Sequence, residues 1–240
     1  YRCPVGQLLS KSKIQTKKIW GLMFQEKQYR GKHSKYPTIH SDINEDQKLA
    51  IFTCTWGNQD ATNRVVSTIK DYYLSARMDD EFTPPFPLQK DLSLAANHLR
   101  ISVMLANDNL YNEFNKEELM ALTEILVIAV KDRELNVIQC GGPNLLCKKH
   151  HSGISTYVNS HHLGHEFDAS KKYPLPSNFI GGEVKKTVHY HRFRYDKKDT
   201  YYLLMSDRMP VITENEDLKS IESKIQLDKE CPYWLAELRF

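Results

Sequence analysis

Residues 49–78 read LAIFTCTWGNQDATNRVVSTIKDYYLSARM, and the hydrophobic period changes halfway along this stretch. Leu49–Thr55 is apolar and β-branched, the pattern of a buried strand. From Asp60 to Met78 the residues Val65, Val66, Ile69, Tyr72 and Tyr73 recur at three- and four-residue steps, which predicts a helix with one apolar face. Trp56 and Gly57 stand at the junction. Upstream, Lys18–Gln28 (KIWGLMFQEKQ) is apolar and aromatic enough to be a strand, and His40–Asp46 follows a turn at Pro37. Downstream, Thr83–Pro87 (TPPFP) breaks regular structure. Asp91–Phe114 then carries the stripe Leu92, Ala95, Ala96, Leu99, Val103, Ala106 and Leu110, predicting a second helix capped by Asp91.

The period then returns to that of strands. Leu119–Val130 and Leu135–Cys140 form a hairpin through the polar turn Lys131–Glu134, and Asn144–Cys147 continues as a third strand after Gly141-Gly142-Pro143. His150–Ser177 is rich in His, Ser, Gly and Pro and reads as loop. Val184–Tyr195 alternates in part, Tyr201–Met205 is a short buried strand, Glu216–Ile225 an amphipathic helix, and Tyr233–Phe240 a closing strand. Two long helices between groups of hairpin-linked strands predict an α+β or layered α/β fold with mainly antiparallel sheets, in one domain spanning residues 1–240. Composition agrees: the chain is 40% hydrophobic and 26% charged, and its 33 basic and 30 acidic residues leave a net charge of +3. That balance argues against a nucleic-acid or membrane partner. Five cysteines without CxxC spacing and no apolar signal core point to a reducing, intracellular and cytoplasmic setting. Tyr1 in place of Met suggests a piece of a longer protein.

Four stretches, taken in order, resemble the PPM family, the metal-dependent protein phosphatases of the 2C type. Asn44-Glu45-Asp46 resembles the end of the family's opening Arg-x-x-Asn-Glu-Asp motif, with Ser41 where the phosphate-binding Arg belongs. Phe52–Gly57 resembles the apolar strand that ends in Asp-Gly, with Trp56 in place of the Asp. Ile138–Asn144 resembles the strand and turn ending in Gly-Asp-Ser-Arg, with Gly142 replacing Asp and Pro143 replacing Ser. Tyr202–Asp207 resembles the strand that leads to Ser-Asp-Gly, with Arg208 in place of Gly. A shifted Glu230 stands nearest the family's final Asp. Tyr173–Gly182 (YPLPSNFIGG) resembles the loop before the later strands in bacterial-type members. The resemblance implies a β-sandwich of two mainly antiparallel sheets flanked by helices.

It also implies a reaction in which water bridging two hard divalent cations attacks a phosphoester. Such cations need several carboxylate oxygens. Here the bridging position is Trp56, whose indole offers no acceptor oxygen, and Ser41 cannot clamp a phosphate dianion as an Arg fork does. Of the metal-linked carboxylates, Glu45, Asp46 and Asp207 remain. The expectation is a pseudophosphatase without cofactor, acting in regulation or scaffolding on another protein or another domain of the parent chain. The alternative is an active phosphatase holding Mn²⁺ or Mg²⁺ in an altered site with Asp207 and Asp46. His150, His151, His161, His162 and His165 cluster, but the HHLGH spacing sits among Gly, Ser and Asn and reads as loop histidines rather than a zinc site. Ser206-Asp207 lacks a nucleophile-elbow motif, and Gly141-Gly142 and Gly181-Gly182 lack phosphate-loop spacing, so these read as turns.

Overall fold

The computed structural model describes residues 13–19, 22–29, 37, 39–79, 81–159, 178–206, 212–213, 216–226 and 233–240. The strand quoted first is β4 (Leu49–Gly57). It lies between β3 (Ile39–Asn44) and β5 (Ala121–Lys131), followed across the sheet by β6 (Glu134–Cys140) and β9 (His189–Arg194). The second sheet has six strands, in the order β1 (Lys13–Ile19), β2 (Leu22–Tyr29), β11 (Tyr233–Arg239), β10 (Thr200–Ser206), β7 (Asn144–Lys148) and β8 (Ile154–Val158). Every neighbouring pair in both sheets is antiparallel.

Strand alternation sorts the side chains of β4 into two cores. Ala50, Phe52 and Cys54 point between the sheets, where they meet Phe24, Leu126, Leu203 and Trp234. Leu49 and Ile51 point the other way, onto α1 (Asp60–Met78) and α2 (Leu94–Leu110), and pack with Val65, Ile69, Tyr73, Leu99 and Leu110. Being covered on both faces is why β4 and β5 read as continuous apolar runs rather than alternating ones. A third core, Leu146, Leu204, Leu235, Ile221 and Ile225, lies beneath α3 (Leu218–Gln226) on the outer face of the six-stranded sheet. Each fully buried aliphatic or aromatic side chain contributes about 1.5–3 kcal/mol, so these three layers hold the sandwich between its helices.

The helix α1 occupies the range its periodicity predicts, with Val65, Val66, Ile69 and Tyr73 buried. The second helix starts later than expected. Ser93 caps it, its Oγ accepting the Ala96 N–H at 3.3 Å, and Asp91 lies outside. At its far end the coil widens into one π-type turn over Tyr111–Asn115. The expected strand at Lys18–Gln28 is divided between β1 and β2, a hairpin pairing Ile19 with Leu22. The expected loop after His150 contains β8, whose residues ISTYV have strand propensity that the surrounding Gly and Ser obscured. His161, His162 and His165 lie outside the described residues. No helix among the described residues is long and apolar enough to cross a membrane.

Candidate functional site

At the end of β4, Trp56 follows Phe52 and Cys54 in the strand alternation and so turns toward the space between the sheets. Its register partner on β5 is Leu122, and two residues further along the same face of β5 stands Glu124. Glu124 is fully buried. The indole Nε1–H of Trp56 donates to its Oε2 at 3.2 Å, and the backbone N–H of Gly142 donates to its Oε1 at 3.0 Å. One carboxylate therefore joins the end of β4 to the turn between β6 and β7. Burial raises the Glu124 carboxyl to about 7, against the two hydrogen bonds, which favour ionisation. Burial and the neighbouring Glu124 also push up the Cys54 thiol, so Cys54 is a packing residue and not a nucleophile.

The glycines shape this corner. Gly57 has φ +87°, and a Cβ there would overlap the Met120 carbonyl oxygen, which accepts the Asn58 N–H at 2.9 Å. Gln59 Nε2 bridges the turn to the carbonyls of Thr55 at 2.9 Å and Gly57 at 3.2 Å. At Gly142 a Cβ would meet Met205 Cε at 3.3 Å and Sδ at 3.4 Å, so the thioether fills the space a longer side chain would take.

The other expected residues are dispersed. Ser41 lies on β3 opposite Phe52, and its hydroxyl donates to Glu26 Oε2 at 3.2 Å, an oxygen that also accepts Trp234 Nε1–H at 3.2 Å. It ties one sheet to the other. Glu45 and Asp46 form the turn between β3 and β4, fixed by Asn44 Oδ1 accepting the Gln47 N–H at 3.1 Å. That turn precedes Leu49, and Trp56 stands at the opposite end of β4, about 23 Å away at the usual rise of a strand. The structure thus brings Trp56, Gly57 and Gly142 to one corner and leaves Ser41, Glu45 and Asp46 elsewhere. Asp207 and Glu230 lie outside the described residues, beyond the paired strand ends Ser206 and Tyr233.

Sequence reasoning missed three residues. Glu124 stands alone in the run ALTEILVIAV, and a single carboxylate inside a two-sided buried strand was the available signal. Asn115 and Asn107 hold the flanking loops. Asn115 Nδ2 donates to Ala121 O at 2.6 Å and Gly181 O at 2.7 Å, while its Oδ1 accepts the N–H groups of Met120 and Ala121 at 2.9 Å. Asn107 Oδ1 accepts the Gly181 N–H at 2.9 Å and its Nδ2 donates to Glu183 O at 3.0 Å.

The described donor set does not fit a pair of hard cations. It offers one carboxylate, an indole N–H that can only donate, a thioether and a glycine with no side chain. Among the described residues no group of three or more His, Cys, Asp or Glu side chains is placed to hold a metal ion.

No protein-family model matches the sequence, and no curated protein matches it. The fold has clear counterparts among solved structures. PppA, a key regulatory component of the type VI secretion system of Pseudomonas aeruginosa, aligns with a TM-score of 0.62 at 11% identity, covering 91% of this chain and 98% of that one. The Mycobacterium tuberculosis serine/threonine phosphatase PstP aligns at 0.59 and 11% identity over 91% and 98% of the two chains. The PPM Ser-Thr phosphatase MsPP of Mycobacterium smegmatis, in complex with cacodylate, aligns at 0.62 and 10% identity over 90% and 97%. The chain has the α+β sandwich fold of PPM, or 2C-type, serine/threonine phosphatases.

A pH dependence follows from Glu124. The unfolded chain releases this proton near the ordinary value of 4.5, whereas the folded chain keeps it to about 7. Between those values the folded state binds the extra proton, so this group's contribution to stability is full below about pH 4.5 and is lost as pH rises through about 7. The full loss is about 3 kcal/mol. Urea melts at pH 4 and pH 8 should therefore show Glu124→Gln gaining about 3 kcal/mol relative to the parent on going to the higher pH. Parallel pH profiles would show that the buried carboxyl ionises as freely as an exposed one.

Proposed function

We propose that this chain is a PPM-fold domain without phosphohydrolase activity, which works in regulation or scaffolding by binding another protein or another domain of its parent chain. One observation carries the reading: the indole of Trp56 donates to buried Glu124 at the corner where the sequence resemblance puts a metal-bridging carboxylate. An N–H donor there repels a cation, and the only described carboxylate at the corner already accepts two hydrogen bonds. Ser41, which the sequence resemblance sets at the phosphate-clamp position, lies away from this corner and donates to Glu26 between the sheets. The intact packing around this altered corner suits a scaffold, and PppA is an example of a regulatory protein of this fold.

The test is turnover. Purified chain with Mn²⁺ or Mg²⁺ is expected to release no phosphate from a phosphopeptide or p-nitrophenyl phosphate above the buffer rate, and Asp207→Ala to change nothing. Metal-dependent turnover that Asp207→Ala abolishes would establish the active alternative instead.

A further inference from the structure

The balanced charge of the whole chain conceals one segregated stretch. Residues 185–198 carry six Lys and Arg against a single Asp, whereas the chain has 33 basic and 30 acidic residues, so the rest of the chain is slightly acidic. The centre of this stretch is β9, the edge of the five-stranded sheet. Among the described residues it pairs on one side only, with β6. Its outer edge therefore presents strand backbone groups that β6 does not use.

The two faces of β9 differ in chemistry. Tyr190, Arg192 and Arg194 alternate onto the helix side, where Tyr190 packs against the core under α1 and α2. His191 and Phe193 alternate onto the side between the sheets. There Phe193 stacks on Tyr157 with ring centroids 4.0 Å apart, and His191 stacks on Phe193 at 6.2 Å. The inner neighbour shows how the arginines are answered. Glu134 of β6 stands opposite Arg194 in register, and its carboxylate lies 3.7 Å from Arg192. Arg192 remains half exposed, and Arg194, Lys197 and Lys198 are exposed.

We propose that the outer edge of β9 is a docking site for an extended acidic segment of a partner protein, added to the sheet as a further strand. Acidic side chains at alternate positions of that segment meet Arg192 and Arg194 as Glu134 does from within, and the apolar residues between them rest against the His191–Phe193–Tyr157 stack. Backbone pairing gives the segment its direction and the alternation gives it selectivity. Nucleic acid would satisfy the charge alone but cannot pair with a strand edge, which is why a peptide is the better match. The proposal extends the partner-binding half of the function proposed above and is independent of the loss of catalysis.

A short fluorescein-labelled peptide of alternating Glu and Val serves as probe for the full chain, with the Lys-Val peptide and a single-stranded oligonucleotide as controls. Anisotropy should report binding of the Glu-Val peptide only, with new hydrogen-exchange protection of β9 amides. Arg192→Glu/Arg194→Glu should weaken it about tenfold or more, while Arg192→Lys/Arg194→Lys retains most of it. Unchanged melting temperatures separate these effects from misfolding. The proposal is overturned by no binding, by equal binding of the Lys-Val peptide, or by oligonucleotide binding as tight as the peptide's with no β9 amide protected. The turnover assay on the same preparation reads the catalytic question separately.

Discussion

Asn115→Ala is expected to lower the stability of the chain by about 4 kcal/mol, because one buried side chain satisfies four backbone groups and each such bond is worth about 1 kcal/mol. The amide sits at the end of the π-type turn after α2 and faces two segments that are joined to each other by the antiparallel bridge between Thr123 and Ile180. It reaches the carbonyls of Ala121 and Gly181 and accepts the N–H groups of Met120 and Ala121. Truncation leaves these groups with no substitute near the end of β5. The figure approaches the upper range for single substitutions. Urea denaturation measures it, and a loss below about 1 kcal/mol would show that water takes over the bonds. Asn115→Asp should cost at least as much, since its second carboxylate oxygen would face the Ala121 and Gly181 carbonyls at the 2.6 and 2.7 Å now spanned by the donated bonds.

Gly141→Ala should cost at least about 3 kcal/mol. The residue has φ +85°, which costs an L side chain about 1–2 kcal/mol by itself. A Cβ would also overlap the Asn178 carbonyl oxygen and stand 2.7 Å from Glu124 Cγ and 2.8 Å from Oε1. The glycine is what lets the β6–β7 turn close over the carboxylate so that the next residue, Gly142, can donate to it. The same substitution should loosen the Trp56 contact, and a shift of tryptophan emission in the folded variant checks that. An alanine variant as stable as the parent, with unchanged emission, would mean that the turn relaxes without strain.

Most of the architecture was legible because the local signals agreed with one another. In α1 the three- and four-residue apolar steps from Val65 to Tyr73 announced the helix, and the apolar runs of β4 and β5 announced strands. The site was less legible, for reasons of register. Asn44-Glu45-Asp46 spells a metal-linked motif, but letters do not say which end of a hairpin they occupy, and here they make the turn remote from Trp56. Ser41 was read as standing at a phosphate-clamp position, and its contact between the sheets depends on Glu26, fifteen residues earlier in the chain. Glu124 was the largest omission. A carboxylate in an apolar strand looks like an interruption until Trp56 and Gly142 arrive from two other segments to meet it. Asn107 and Asn115 were missed likewise, since an amide on a helix carries no mark that its partners are loops.

The bond between Trp56 and Glu124 is made wholly from the polypeptide. On the function proposed above, what holds this corner comes with the polypeptide itself, so treatment with a chelator is expected to leave the contact in place. Its closure should be equally firm in ion-starved and ion-rich surroundings.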